Sequence, residues 1–248
     1  MLHSSFRLLL AIALYSLLVS ASCALEIQEV KSKSGISAWL VEEHSIPLIA
    51  MSFSFGSGAA TELSEKSGIT YFLSGMLDEG ADSLDSDAFR RRRDELSARI
   101  SFESSADYFS GSFQTLTENR DASFDLLRLA LTQPRFDPEP LERVRNQILL
   151  SLNDEQQDPE QIAFDDWRRR SFVNHPYSRN SHGTPEGVAS VSANDLRDRR
   201  GELFSRDKLL VVVVGDIDAA TLARLLDETF GSLTATSNLP EVPPAVVA

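Results

Sequence analysis

The side chains in this sequence best suited to metal or acid–base chemistry are its histidines. The chain has four of them, and His44, His175 and His182 follow the first 24 residues. A zinc-binding helix of a metallopeptidase carries two histidines four residues apart, with a glutamate as general base. His44 lies between two predicted strands, and His175 and His182 are separated by seven positions in a polar loop. We therefore interpret all three as ordinary surface or loop histidines.

Residues 1–24 have the three-part layout of a secretory signal. A positively charged start ending at Arg7 precedes an apolar run over 8–19, and small residues close the segment at 22–24. The run is shorter than the ~20 residues that a spanning helix needs. We expect cleavage after Ala24 and export to the periplasm or beyond the cell. The alternatives are an uncleaved N-terminal anchor and lipidation of Cys23, where Ser20 replaces the usual leucine three places earlier.

Composition limits the partners of the mature chain. Cys23 is the single cysteine, so a mature protein beginning after Ala24 uses neither disulfides nor thiolate zinc ligands. The formal net charge is -13, which argues against nucleic acid and anionic lipid as partners. The basic run at 90–93 is flanked by Phe89 and Leu96 at helical spacing, which predicts a solvated helix face.

The order of predicted elements indicates an α+β fold with helices packed on a mostly antiparallel sheet. Strands are predicted over 26–33, 36–43 and 47–55, a β-hairpin over 99–116, and a buried strand over 208–217. The longer helical patterns cover an apolar segment ending near Gly80 and residues 86–98, 119–131, 138–157 and 218–230. We expect one domain over 25–233, followed by a proline-rich linker or truncated end over 234–248.

Several passages, taken in order, carry a family signature. They are "GSGAATE" before the first long helix, "SGITYFLSGMLDEGA" on it, and the hairpin-and-helix passage from "ISFESSADYF" to "RVRNQIL". "QQDPEQIA", "HPYSRNSHGTPEGVASVSANDLRD" and "LLVVVVGDID" follow. The chain resembles the pitrilysin/insulinase (M16) family of zinc peptidases, in its mitochondrial-processing-peptidase-like branch, over nearly all of 26–231. The resemblance implies the α+β N-terminal domain of that family.

The family's zinc motif has no matching side chains in this chain. Members carry H-x-x-E-H on the first helix, and a later helix supplies a glutamate as third ligand. In the same register this sequence has Tyr71 at the first histidine, Ser74 at the glutamate and Gly75 at the second histidine. Ser151 stands at the third-ligand position, with Glu155 close enough in sequence to be an alternative. We expect no catalytic residue, no metal ligand and no cofactor in this domain, because tyrosine, serine and glycine supply neither imidazole nor carboxylate.

The resemblance implies a partner for such a chain. We expect a non-catalytic, exported family member that pairs with an active, H-x-x-E-H-bearing zinc subunit and completes a chamber for unfolded peptides. One alternative is a zinc endopeptidase with an unrecognised ligand set, for which His175, His182 and Glu155 are the candidates. Another is a peptide-binding scaffold with no protease partner.

Overall fold

Strands form where short β-branched and aromatic runs alternate between buried and exposed positions. The computed structural model describes residues 26–246, and within them the chain forms six strands. The strands are β1 (Gln28–Lys31), β2 (Ser37–Glu42), β3 (Leu48–Phe55), β4 (Arg99–Ser104), β5 (Phe109–Leu116) and β6 (Leu209–Gly215). In β3, β5 and β6 every second side chain is buried, as expected when one sheet face is packed and the other is solvated.

The strands form one sheet in the order β1-β2-β6-β3-β5-β4. All neighbours are antiparallel except β2 and β6, which run parallel. β6 lies between β2 and β3, with Val212 opposite Trp39 on one side and Ser52 on the other. The prediction of an α+β fold with a mostly antiparallel sheet is confirmed.

The helices of the described residues cover the buried face of the sheet or flank it. They are α1 (Ile69–Ser74), α2 (Ser86–Glu95), α3 (Arg120–Thr132), α4 (Pro138–Glu155), α5 (Pro159–Ser171), α6 (Pro185–Ser190), α7 (Ala193–Leu203) and α8 (Ala219–Phe230). Phenylalanines join sheet and helices: Phe53 meets Phe230 of α8 edge to face, at 5.4 Å between centroids. Phe55 stacks at 4.6 Å on Phe204, the residue that follows α7.

The structure corrects the length of the first helix. The sequence predicts an apolar helix ending near Gly80, whereas α1 ends at Ser74 and turns follow. The Ser74 hydroxyl donates to the Tyr71 carbonyl at 2.7 Å, and Gly75 follows as the C-cap. Glycine loses more conformational entropy in a helix than other residues, which favours an early end here. The other predicted helices and strands are confirmed, with boundaries shifted by up to three residues.

The structure describes most of the C-terminal segment but not the N-terminal one. The predicted signal over 1–24 and the alternative at Cys23 lie outside the described residues. From residue 238 to 246 the linker forms neither helix nor strand, and Leu239 packs against the core. None of the helices between residues 26 and 246 has the length and apolar character needed to cross a bilayer.

Candidate functional site

A buried carboxylate holds the N-terminal end of α1. Glu62 accepts hydrogen bonds from the backbone N–H groups of Gly68 and Thr70, both at 2.8 Å. These N–H groups have no acceptor within the helix, and negative charge is favourable at this end. Arg199 of α7 donates to the Thr70 hydroxyl at 3.0 Å and to the Gly58 carbonyl at 2.9 Å. Burial lowers the pKa of the Arg199 guanidinium. α1 is therefore fixed in place at its polar end.

The apolar face of α1 and of the turn after it forms part of the core. Phe72, Leu73, Met76 and Leu77 are fully buried. Arg145 of α4 lies over the Phe72 ring, with its guanidinium carbon 5.2 Å from the ring centroid. Packing against the core thus holds this segment in position.

The three positions predicted to correspond to the family motif line a small open cleft. Tyr71 is half-buried, Ser74 is buried and Gly75 is exposed. The cleft has a volume of about 310 Å³, and its walls are formed by Tyr71, Ser74, Gly75, Glu79, Phe102, Val144, Gln147 and Ile148. The structure therefore brings Tyr71, Ser74 and Gly75 together, next to α4.

The donor set of this cleft does not fit a zinc ion. Gly75 offers no side-chain donor, and the Ser74 hydroxyl is bonded to the backbone. From α4, Val144 approaches so closely that a Cβ added at Gly75 would lie 3.1 Å from its Cγ1 atom. Structural zinc sites use four ligands, and catalytic sites use three protein ligands and a water. Such a set is missing from the residues that line the cleft.

Glu79 supplies the carboxylate of the cleft, and it is already paired. Arg143 of α4 donates to Glu79 at 2.6 Å, and the Ser86 hydroxyl donates to the same oxygen. Burial acts to raise the pKa of Glu79, but the hydrogen bonds from Arg143 and Ser86 outweigh it and the pKa is lowered. Burial raises the pKa of the neighbouring Asp78, with the Glu79 charge as a second cause. The ion pair of Glu79 with Arg143 thus links the turn after α1 to α4.

Ser151, the predicted third-ligand position, lies on α4 but outside the walls of the cleft. Ser151 is exposed, one helical turn beyond Gln147, which does line it. The assignment of Ser151 to that position stays a prediction. Glu155, the sequence alternative, lies one turn further and accepts hydrogen bonds from His182 Nδ1 at 2.7 Å and Asn180 Nδ2 at 2.9 Å.

The structure places the three histidines in different surroundings. The His182 ring stacks on Tyr71 and bonds to Glu155. His175 is buried, accepts the Tyr177 N–H at Nδ1 and bonds through Nε2 to the Pro243 carbonyl at 2.8 Å. His44 hydrogen-bonds to Asp216 at 2.7 Å. This hydrogen bond raises the pKa of His44 and lowers the pKa of Asp216. Between residues 26 and 246, no group of three or more His, Cys, Asp or Glu side chains is placed to hold a metal.

Two important residues of this region were missed by the sequence reasoning. Glu62 carried a weak signal, since an acidic residue shortly before an apolar helix is a common N-terminal feature. Arg199 carried none, because its acceptors lie 129 and 141 positions earlier in the chain.

Fold and cleft together define an α+β domain in which α1 and α4 meet at a cleft whose walls supply no zinc-ligand set. The family profile "Insulinase (Peptidase family M16)" matches residues 40–184. The chain belongs to this family. It is 25% identical over 203 residues to the non-peptidase homolog YmxG of Helicobacter pylori, covering 82% of this chain and 47% of that protein.

Further similarities agree with this assignment. The chain is 22% identical to the mitochondrial-processing peptidase subunit beta of Lentinula edodes, over 73% of this chain and 39% of that one. Its fold matches the crystal structure of a peptidase M16 inactive domain from Pseudomonas fluorescens with a TM-score of 0.83 and 20% identity, over 90% and 54% of the two chains. The chain spans about half the length of the curated relatives it matches.

Proposed function

We propose that this chain is a non-catalytic member of the insulinase family that pairs with an active, zinc-bearing subunit and completes a chamber for peptide degradation. One observation carries the proposal. The packing of α1 against α4 is intact, while the cleft between them presents Tyr71, Ser74 and Gly75 in place of a ligand set. A domain that keeps the fold of the family but lacks the zinc ligands is better suited to assembly or substrate enclosure than to catalysis.

The relatives support this direction. One similar protein is named a non-peptidase homolog, and one similar structure is described as an inactive domain. Other relatives are named as subunits of a processing peptidase, which describes an assembly of more than one chain. The matched relatives are about twice as long as the matched region. We therefore propose that residues 25–233 act as one domain of a larger chamber, with 234–248 as the connecting linker.

The test of catalytic inactivity uses the purified chain. We expect less than 0.1 zinc per chain by atomic absorption, and no cleavage of an unfolded reporter peptide above a buffer control. A family member with an intact H-x-x-E-H helix, purified in the same way, controls for metal loss. Stoichiometric zinc together with intrinsic cleavage would overturn the proposal.

The test of pairing is co-purification from the source cell. We expect the tagged chain to retain a protein that carries H-x-x-E-H, and we expect the mixture to cleave the reporter peptide. Retention of peptides with no such protein would instead support a peptide-binding scaffold.

A second candidate is a zinc endopeptidase with a different ligand set, favoured by the 2.7 Å contact between His182 and Glu155. His175 does not join them, because its ring nitrogens bond to Tyr177 and Pro243. Alanine replacement of His175, His182 and Glu155 would remove turnover if this candidate were right. We expect the wild-type chain to show no turnover, so that these replacements change nothing.

Export is part of the proposal. We expect the mature chain to begin after Ala24 and to fractionate with periplasmic or secreted protein. N-terminal sequencing and mass spectrometry of the cell-derived protein distinguish cleavage after Ala24 from lipidation at Cys23.

A further inference from the structure

Helix α5 presents aromatic side chains to solvent. Among its 13 residues Ser171 is the buried one. Phe164 and Trp167 are 50% and 53% exposed, and their ring centroids lie 5.5 Å apart. Ala163 is exposed on the same side, because residues 163, 164 and 167 fall within about one third of the helix circumference. These three residues are the α5 aromatic face.

The charges of α5 are divided between its two ends. Its N-cap and first turn carry Asp158 and Glu160, and its C-terminal part carries Arg168, Arg169 and Arg170; Asp165 and Asp166 lie in the middle of the helix. Arg169 and Arg170 are exposed, and each pairs with Asp166 on the same helix. Glu160 is exposed at the opposite end. The helix thus has an acidic start, an aromatic centre and a basic end.

We propose that the α5 aromatic face binds the same face of a second copy of this chain, with the two helices antiparallel about a twofold axis. A twofold interface places residue i against residue j and residue j against residue i. With the axis between Phe164 and Trp167, the Phe164 ring of one copy meets the Trp167 ring of the other. Glu160 of each copy then lies opposite Ser171 of the other and one residue from its Arg170, so acidic and basic side chains are adjacent at both ends.

The size and composition of the face suit the centre of such an interface. Two half-exposed aromatic side chains present on the order of 100 Å² each. They would form the apolar core of an interface of about 800 Å² per partner, surrounded by polar side chains. Aromatic residues and arginine are the types enriched in such interfaces. Ala163 lets the two helices approach closely.

The overall charge does not prevent this association. The net charge of -13 repels a second copy at long range. At physiological ionic strength that repulsion is screened beyond about 8 Å, so the local pattern on α5 decides. The inference goes beyond the proposed function and is independent of it, since zinc content and pairing with an active subunit are measured separately.

The first test is the mass of the wild-type chain by sedimentation equilibrium over a hundredfold range of concentration. We expect a monomer–dimer equilibrium, and we expect Trp167→Ala to raise the dissociation constant at least tenfold. Trp39→Ala is the matched control, because Trp39 is 46% exposed on the open face of the sheet. A monomer throughout the range would overturn the proposal, as would an equal effect of the two variants.

The second test uses charge exchange and does not depend on the aromatic variants. Glu160→Lys and Arg170→Glu should each weaken self-association, because each places like charges next to one another. An equimolar mixture of the two variants should dimerise as well as the wild type, since Lys or Arg at these positions then lies next to a Glu. A mixture that stays as weak as its components would overturn the antiparallel arrangement.

Discussion

The ring of Tyr71 stacks on the imidazole of His182, with centroids 4.4 Å apart and planes 30° from parallel. Tyr71 is the residue predicted to correspond to the first motif histidine, and His182 belongs to the loop before α6. His182 in turn bonds to Glu155 at the end of α4. Tyr71 and His182 therefore connect α1, a distant loop and α4 by packing and hydrogen bonding.

Removing the Tyr71 ring should loosen this connection. We expect Tyr71→Ala to lower the free energy of unfolding by about 2 kcal/mol, because it removes a half-buried aromatic contact. Tyr71→Phe keeps the ring and should cost less than about 0.5 kcal/mol. Urea denaturation of both variants measures the difference. Equal stability of the alanine and phenylalanine variants would show that the stack contributes little.

A side chain at Gly183 should be poorly tolerated. Gly183 has φ +95°, and an added Cβ would lie 2.4 Å from both the Gly68 Cα and the Ser67 carbonyl oxygen. We expect Gly183→Ala to cost about 3 kcal/mol or more, since backbone must move on both sides. Gly35 has a similar φ of +82° with nothing within 4 Å of an added Cβ. Gly35→Ala should therefore cost only about 1 kcal/mol, and thermal denaturation of both variants tests the contrast.

Glu62 should contribute more to the stability of the fold than the nearby acidic residue Glu65. We expect Glu62→Ala to destabilise the protein by about 2 kcal/mol, because the N–H groups of Gly68 and Thr70 lose their acceptor in a buried place. Glu62→Gln keeps one acceptor oxygen and should cost less. Glu65 is exposed, so Glu65→Ala is the surface control, expected within about 0.5 kcal/mol of wild type. Denaturant unfolding measures both variants. An equal loss of stability in Glu65→Ala and Glu62→Ala would contradict the role of Glu62 as acceptor.

Asp227 should give the fold an acid-sensitive contact. Burial acts to raise its pKa, but hydrogen bonds from the hydroxyls of Ser32 and Ser34 and from the backbone N–H groups of Ser34 and Lys33 lower it to about 2. A lowered pKa stabilises the folded state above the ordinary value near 4, and this contribution is lost as pH falls towards 2.

We therefore expect Asp227→Asn to be less stable than wild type at pH 6. The gap should shrink steadily between about pH 4 and pH 2. Unfolding free energies measured at several pH values test this. A gap that stays constant over this interval would show that the carboxylate charge is not responsible.

The order of helices and strands was largely predictable because it depends on local patterns. Alternation in β3 and β6 and helical spacing in α3 and α8 are properties of short stretches. The predicted length of α1 was wrong, because the apolar spacing continues through Met76 and Leu77 while the helix ends at Ser74. Those two side chains are buried from a turn rather than from a helix.

The sequence alone indicated the family and the fold class, and it predicts which residues stand at the motif positions. Tyrosine, serine and glycine at those positions supply neither imidazole nor carboxylate, whatever their arrangement in space. The tertiary structure decided what the replacements do instead: Tyr71 packs on His182, Gly75 leaves room for Val144, and Glu79 is neutralised by Arg143. It also showed that the aromatic residues of α5 remain exposed. These contacts join residues 64 to 111 positions apart, and no local pattern specifies which distant side chain will occupy a given space.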